Sequence, residues 1–191
     1  MGIIIIDSGV ACTLVWSLRR RQLAVETLIG GTEGPMNYRC FFRELVRQSQ
    51  RQYRRGGAMN FFIVDAAMFI AVRDLVCDDK RAFLTLYTAG EYYAKQTRLY
   101  LSADQLSGFG VNPNGEIISV FSLIPGRGQA LTTAAVRCGG TRLDCLGEHL
   151  RALYESCGLR VVEILAWAEE YAPEGWDYAR YGRPNFYAMT I

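Results

Sequence analysis

Residues 116–137 of this chain, EIISVFSLIPGRGQALTTAAVR, decide its fold. Residues 116–124 are rich in apolar and β-branched side chains, which is the composition of a strand. Residues 131–137 have the composition of a helix. Between them, Pro125-Gly126-Arg127-Gly128-Gln129-Ala130 forms a turn. The stretch therefore predicts a strand that leads through a glycine-containing turn into a helix, as in α/β domains.

The turn at residues 125–130 is suited to an anion. Glycines before a helix N-terminus let successive backbone N–H groups point at an anion, and the helix dipole adds to the attraction. Gly126 and Gly128, with Arg127 between them, would suit a pyrophosphate group. The motif has neither the Gly-Lys-Ser/Thr ending of a Walker loop nor the G-x-G-x-x-G spacing of dinucleotide-binding domains. A plain tight turn explains the G-x-G spacing equally well.

Strand and helix patterns continue on both sides of this stretch. On the N-terminal side, Asn112-Pro113-Asn114-Gly115 is a strong turn signal that joins a strand at 107–111 to the strand at 116–124. On the C-terminal side, the pattern predicts a strand at 141–145, a helix at 148–157, a strand at 161–168, an aromatic loop at 171–181 and a strand at 186–191. The predicted order is hairpin, glycine turn, helix, strand, helix, strand, strand.

The N-terminal half of the chain has weaker signals. It predicts a hairpin of strands at 10–18 and 22–29, an apolar segment at 60–72 that begins like a strand, and a helix at 78–96. The clearest element is an amphipathic helix at 37–53. We call the arginines along its polar face the arginine stripe: Arg39, Arg43, Arg47 and Arg51. This stripe would suit phosphate or nucleic acid, but a solvated face is the more common outcome and is favoured here.

Composition limits the class of protein. A chain of 191 residues, half of them hydrophobic, is long enough for one well-buried domain and short for two. We expect a single domain over residues 1–191, with a divergent part at 1–100 and the core at 107–191. The net charge of +2 is too small to predict nucleic-acid binding.

Cysteine usage and the N-terminus bear on the compartment. The six cysteines show no C-x-x-C spacing and there is one histidine, so we expect reduced thiols, a cytoplasmic location and no metal site. The apolar run at 3–16 is interrupted by Asp7 and is too short to cross a membrane.

Four polar side chains are candidates for chemistry. Tyr154 lies at the edge of the apolar stripe of the helix at 148–157, where its hydroxyl could be a satisfied core group or a general acid. Asp144, at the end of a strand, could orient an amine, act as a base or cap the next turn. Glu116 and His149 are better explained as surface residues.

The second half of the chain, residues 107–191, resembles the core of the GNAT superfamily, the acyl-CoA-dependent N-acyltransferases. The resemblance is carried by the strand at 116–124, the loop at 125–130, the strand at 141–145 and the segment Leu153-Tyr154-Glu155-Ser156-Cys157-Gly158-Leu159. It implies an α/β (α+β) fold with a central mixed, mostly antiparallel sheet flanked by helices. It also implies that the loop amides hold the coenzyme A pyrophosphate, that the preceding strand pairs with the pantetheine arm and that Tyr154 protonates the coenzyme A thiolate.

These interpretations together name a set of site residues. The catalytic candidates are Tyr154 and Asp144. Acetyl-CoA or coenzyme A would be bound by two residues at the end of the strand and five in the loop: Ser122, Leu123, Gly126, Arg127, Gly128, Gln129 and Ala130.

A narrower resemblance is to GNAT-like proteins encoded by bacteriophages and prophages. It is carried by Phe121-Ser122, Gly126-Arg127-Gly128, Leu143-Asp144-Cys145, Leu153-Tyr154 and the long tail at 172–178 with Gly182-Arg183-Pro184. The tail residues Trp176, Tyr178 and Tyr181 could line a substrate pocket or simply pack together.

The expected activity is transfer of an acyl group from acetyl-CoA to an amine, which could be a small molecule, a protein lysine or an aminated base in phage DNA. Two alternatives remain open. One is a non-catalytic module that contacts nucleic acid or protein through the arginine stripe. The other is an enzyme of this fold that modifies DNA directly.

Overall fold

The computed structural model describes residues 59–191 apart from residue 174, together with the backbone of three strands within residues 2–27. The helix predicted at 37–53, with its arginine stripe, lies outside the described residues. Contacts within the chain form two compact units, Met1–Phe42 and Arg43–Ile191.

The N-terminal unit contains a three-stranded antiparallel sheet in the order β1-β2-β3. Its strands are β1 (Gly2–Asp7), β2 (Val10–Ser17) and β3 (Gln22–Thr27). The predicted hairpin at 10–18 and 22–29 is confirmed as β2 and β3. The strand β1 was not predicted, because its run of four isoleucines lacks the alternation of a half-buried strand.

The second unit contains two antiparallel sheets. The first has the order β4-β5-β6-β7 and the second the order β8-β10-β9. The strands are β4 (Phe61–Val64), β5 (Arg98–Ser102), β6 (Ser107–Val111), β7 (Ile117–Ser122), β8 (Arg142–Leu146), β9 (Arg160–Leu165) and β10 (Phe186–Thr190). The hairpin predicted around residues 112–115 is confirmed as β6 and β7.

Short helices connect these strands. They are α1 (Ala66–Arg73), α2 (Asp78–Arg81), α3 (Ala89–Ala94), α4 (Gly128–Arg137), α5 (Glu148–Glu155) and α6 (Tyr178–Tyr181), with a 3-10 turn at Glu169–Tyr171. Among the described helices, none combines the length and the apolar character needed to cross a lipid bilayer.

The prediction of one helix over 78–96 was wrong, because a second helix start lies inside it. The Thr88 hydroxyl accepts a hydrogen bond from the Glu91 amide, and the Glu91 carboxylate accepts one from the Thr88 amide at 2.7 Å. This reciprocal capping box begins α3 and separates it from α2.

Helices cover both faces of the first sheet. In β5, Tyr100 belongs to an apolar cluster with Leu131 of α4 and Tyr154 of α5. Its neighbour Leu101 points the other way, into a cluster with Phe69 of α1. The second unit is therefore a mixed α/β body of antiparallel sheets flanked by helices.

Candidate functional site

The two sheets of the second unit meet at one point and then separate. Glu116, just before β7, forms a single parallel bridge with Arg142, the first residue of β8. The Thr141 amide secures the junction by donating to the Gly115 carbonyl at 2.7 Å. Both strands run away from this point, and no further β7–β8 pair occurs within the described residues. The gap between their free edges is referred to below as the β7–β8 wedge.

A bulge lies halfway along the β7 side of the wedge. The ladder pairs Gly110 with Ile118 and Gly108 with Phe121, so Ser119 and Val120 both lie opposite Phe109. Ser119 has a φ of 51°, a left-handed conformation that costs a non-glycine residue free energy. A bulge of this kind changes which amides face the free edge of a strand. Sequence reasoning missed it, because nothing in this apolar run marks an extra residue.

The end of β7 is held by hydrogen bonds within the protein. The Leu123 amide donates to the Leu106 carbonyl at 2.8 Å. The Ser122 hydroxyl bonds the Ser107 hydroxyl at 2.8 Å and accepts from the Ile124 amide at 3.1 Å. Since hydrogen bonding alternates along a strand, the backbone of Ser122 faces the free edge. Of the two predicted strand contacts, Ser122 can therefore offer its backbone amide, while the Leu123 amide is already bonded.

A lysine side chain lies at the end of β7. Lys80, in the short helix α2, places its ammonium nitrogen 2.9 Å from the Ser122 carbonyl oxygen and is otherwise exposed. It is one of two lysines in the chain, the other being Lys95. No sequence signal could have found Lys80, because it is 42 residues away from Ser122 along the chain.

The helix after the loop begins earlier than predicted. It was expected at 131–137, but α4 begins at Gly128, so Gly128, Gln129 and Ala130 form its first turn. No side chain caps this end, and within the described residues these three amides have no acceptor. Gly126 has a φ of +82°, and a Cβ built on it would meet open space. The first turn of α4 therefore offers unpaired donors beside an uncrowded glycine.

The Arg127 side chain does not lie with these donors. It is 2% exposed, forms an ion pair with Asp104 at 2.7 Å and donates to the Ser107 hydroxyl at 3.1 Å. It thus ties the loop to the end of β5 and the start of β6. The Arg127 carbonyl is also bonded, since it accepts from the Leu131 amide at 3.0 Å.

The structure brings the loop against α5, the helix that carries Tyr154. A Cβ on Gly128 would lie 2.6 Å from Leu153 Cδ2, and the Cys157 thiol lies 3.7 Å from the Gln129 carbonyl oxygen. Tyr154 follows Leu153 on α5 and is 8% exposed. Burial, with smaller contributions from the Cys145 and Cys157 sulfurs, raises the pKa of Tyr154 well above its ordinary value. The phenol therefore stays protonated across neutral pH.

Asp144 lies on the other face of its sheet. Leu143 and Cys145 are buried in the same cluster as Tyr154, whereas Asp144 between them is exposed. Partial desolvation, followed by the nearby Glu116 carboxylate, raises the pKa of Asp144. Asp144 does not cap α5, because the N-cap residue of this helix is Gly147 and no side chain caps it. The two predicted catalytic residues are thus separated by the sheet.

The aromatic tail packs together, and it holds α2. The Trp176 ring contacts Phe83 and Tyr181 at centroid distances of 5.3 Å and 5.0 Å. Arg180 forms a two-pronged ion pair with Asp79 of α2, with Nη2 and Oδ2 2.7 Å apart. Packing is therefore the observed role of Trp176, and the tail fixes the helix that carries Lys80.

No protein-family model matches this chain, and no curated protein sequence matches it.

Proposed function

We propose that this chain is an acyl-CoA-dependent N-acyltransferase, with acetyl-CoA as the first candidate donor. The observation that carries the proposal is the β7–β8 wedge, which leads to the unpaired amides of α4 and to the helix that bears Tyr154. An acyl thioester on a long amide-containing arm with a pyrophosphate at its far end has the chemistry to occupy all three places.

The free edge of β7 supports the placement of the arm. An unpaired strand edge recognises extended chains through main-chain hydrogen bonds, and the pantetheine arm carries two amide groups. The backbone of Ser122 faces this edge. The pyrophosphate would follow at the first turn of α4, where the amides of Gly128, Gln129 and Ala130 and the helix dipole favour an anion.

Lys80 would supply positive charge to the same anion. The only arginine in the loop, Arg127, is directed inward to Asp104. The Lys80 ammonium is held at the Ser122 carbonyl, three residues before the loop begins at Pro125. A compact, mobile ammonium on an exposed side chain suits a phosphate group.

The reaction would be direct transfer. A neutral amine attacks the thioester carbonyl carbon, amides of the β7 bulge stabilise the oxyanion, and the C–S bond breaks as the amide bond forms. Tyr154 gives its proton to the departing thiolate, the amine nitrogen loses a proton to water, and water returns a proton to the Tyr154 phenolate. Burial holds the pKa of the Tyr154 phenol above its ordinary value, so the phenol keeps its proton until the thiolate forms. Positioning and oxyanion stabilisation would supply most of the acceleration.

The acceptor would approach from the face opposite to Tyr154. Asp144 is exposed there, and the Glu116 carboxylate is close enough to affect its pKa. These two carboxylates would suit a cationic amine, which must lose a proton before it attacks. Such an acceptor could be a small amine, a protein lysine or an aminated base of phage DNA in a bacterial cytoplasm.

Calorimetry with three ligands tests the proposal. The parent protein should bind coenzyme A and acetyl-CoA and should bind pantetheine, which has the arm without the pyrophosphate, much more weakly. Coenzyme A should also raise the melting temperature, because a ligand that binds only the folded state stabilises it. A protein that binds none of the three at millimolar concentration would overturn the proposal.

A further inference from the structure

A buried network of hydrogen-bonded polar side chains, called the polar network below, reaches from α1 to the bulge in β7. Arg73, the last residue of α1, donates from Nη1 to the Tyr92 hydroxyl at 3.0 Å and to the Tyr87 carbonyl at 2.7 Å. The Tyr92 hydroxyl lies 2.7 Å from the Ser119 hydroxyl. Arg73 is also paired with Asp74 at the surface.

The polar network lies inside an otherwise apolar cluster. Arg73 is 4% exposed and Tyr92 1% exposed, and their neighbours in the cluster include Phe69 and Phe121. The Phe69 ring packs edge-on against both Tyr92 and Phe121. Buried polar groups are costly in such surroundings unless every one of them is bonded. Here each finds a partner, and the hydrogen-bonded series ends at Ser119, whose backbone is left-handed.

The hydrogen bonds in the polar network have a fixed direction. A guanidinium can only donate, so the Tyr92 oxygen accepts from Arg73. The arrangement that satisfies both groups uses the Tyr92 proton toward the Ser119 oxygen. Tyr92 is therefore the donor that holds the Ser119 side chain.

We propose that Arg73 and Tyr92 are positioning residues that hold the bulge at Ser119, and thereby orient the β7 amides that receive the thioester carbonyl. This inference rests on the proposed function. The physical reason is that the left-handed backbone of Ser119 is unfavourable on its own. Without the bond to Tyr92, the strand could relax toward regular pairing, which would turn the amides away from the wedge.

Tyr92→Phe tests the proposal, with Tyr93→Phe as the matched control. Tyr93 is the next residue on the same helix and is 86% exposed, so its hydroxyl is not part of the polar network. Coenzyme A lacks the thioester carbonyl, so the ratio of acetyl-CoA affinity to coenzyme A affinity reports on the bulge amides. We expect Tyr92→Phe to lower this ratio about tenfold, the effect of one hydrogen bond. We expect Tyr93→Phe to leave it unchanged.

A rescue variant separates positioning from a general loss of stability. Glycine adopts a φ of 51° without strain, so Tyr92→Phe combined with Ser119→Gly should recover most of the affinity ratio. Amide hydrogen exchange at residues 119–121 should be faster in Tyr92→Phe than in the parent. It should return toward the parent rate in the double variant.

The outcomes distinguish the inference from the function beneath it. A parent that binds neither ligand removes both proposals. A parent and a Tyr92→Phe variant that bind both ligands with the same affinity ratio would leave the acyltransferase proposal standing and overturn the positioning role. A lowered ratio that the double variant does not recover would also overturn it, since the loss would then not arise from the bulge.

Discussion

Gly126 is the position where the proposed pyrophosphate site is most directly tested. It lies two residues before α4, is exposed and has room for a side chain. Gly128 is a poorer choice, because a Cβ there would lie 2.6 Å from Leu153 Cδ2 and would disturb the contact between α4 and α5. We therefore compare Gly126→Asp with Gly126→Asn. Both residues tolerate a left-handed backbone and have the same shape, so they differ in charge alone.

The expected effect follows from Coulomb's law. A carboxylate about 5 Å from a phosphate repels it by roughly 3 kcal/mol at an effective dielectric constant of about 20. Solvent at this exposed turn weakens the repulsion to about 1–2 kcal/mol. Gly126→Asp should therefore bind coenzyme A roughly tenfold more weakly than Gly126→Asn. Pantetheine, which carries no phosphate, should bind the two variants equally.

Calorimetry at two salt concentrations is the assay. At about 1 M salt the screening length falls to about 3 Å, so the difference between the Asp and Asn variants should nearly vanish. Melting curves of both variants show whether the left-handed position is tolerated. Equal coenzyme A affinity of the two variants at low salt, with both folded, would refute the placement of the pyrophosphate at this loop.

Three further predictions follow from the site and the tail. Tyr154→Phe removes a hydroxyl that makes no hydrogen bond to any described residue, so the melting temperature should not change. Amine-dependent thiol release should fall about a hundredfold. Unchanged thiol release from a variant that still binds the cofactor would contradict the acid role. Lys80→Gln should weaken coenzyme A binding about fivefold and leave pantetheine binding unchanged. Lys95→Gln is the control and should leave coenzyme A binding unchanged. An equal effect of both substitutions would remove Lys80 from the site. Hydrogen bonds from Tyr178, then from Arg183, lower the pKa of Glu169 from 4.5 to about 2, so its contribution to stability is present above pH 4.5 and is lost as the pH falls through 2. Urea unfolding followed by tryptophan fluorescence should therefore depend less on pH over this interval in Glu169→Gln, and identical pH profiles would speak against the interaction.

Local sequence patterns predicted much of the second unit. Asn112-Pro113-Asn114-Gly115 indicated the hairpin, and the helical spacing of the apolar residues at 148–157 placed Tyr154 at the edge of the core-facing stripe, where it is buried. These features depend on residues a few positions apart, so periodicity and turn chemistry are enough to find them. The same reasoning failed at 78–96, where the Thr88–Glu91 capping box is a local signal that was overlooked.

The sequence by itself thus determined the strand–turn–helix unit and the neighbourhood of Tyr154. Only the tertiary structure decided that β7 and β8 part after the Glu116–Arg142 bridge, that Arg127 is directed inward and that Lys80 reaches Ser122. These features join residues far apart in the chain. Their geometry depends on which surfaces are buried together and on the register of strands, and neither is encoded in the spacing of neighbouring residues.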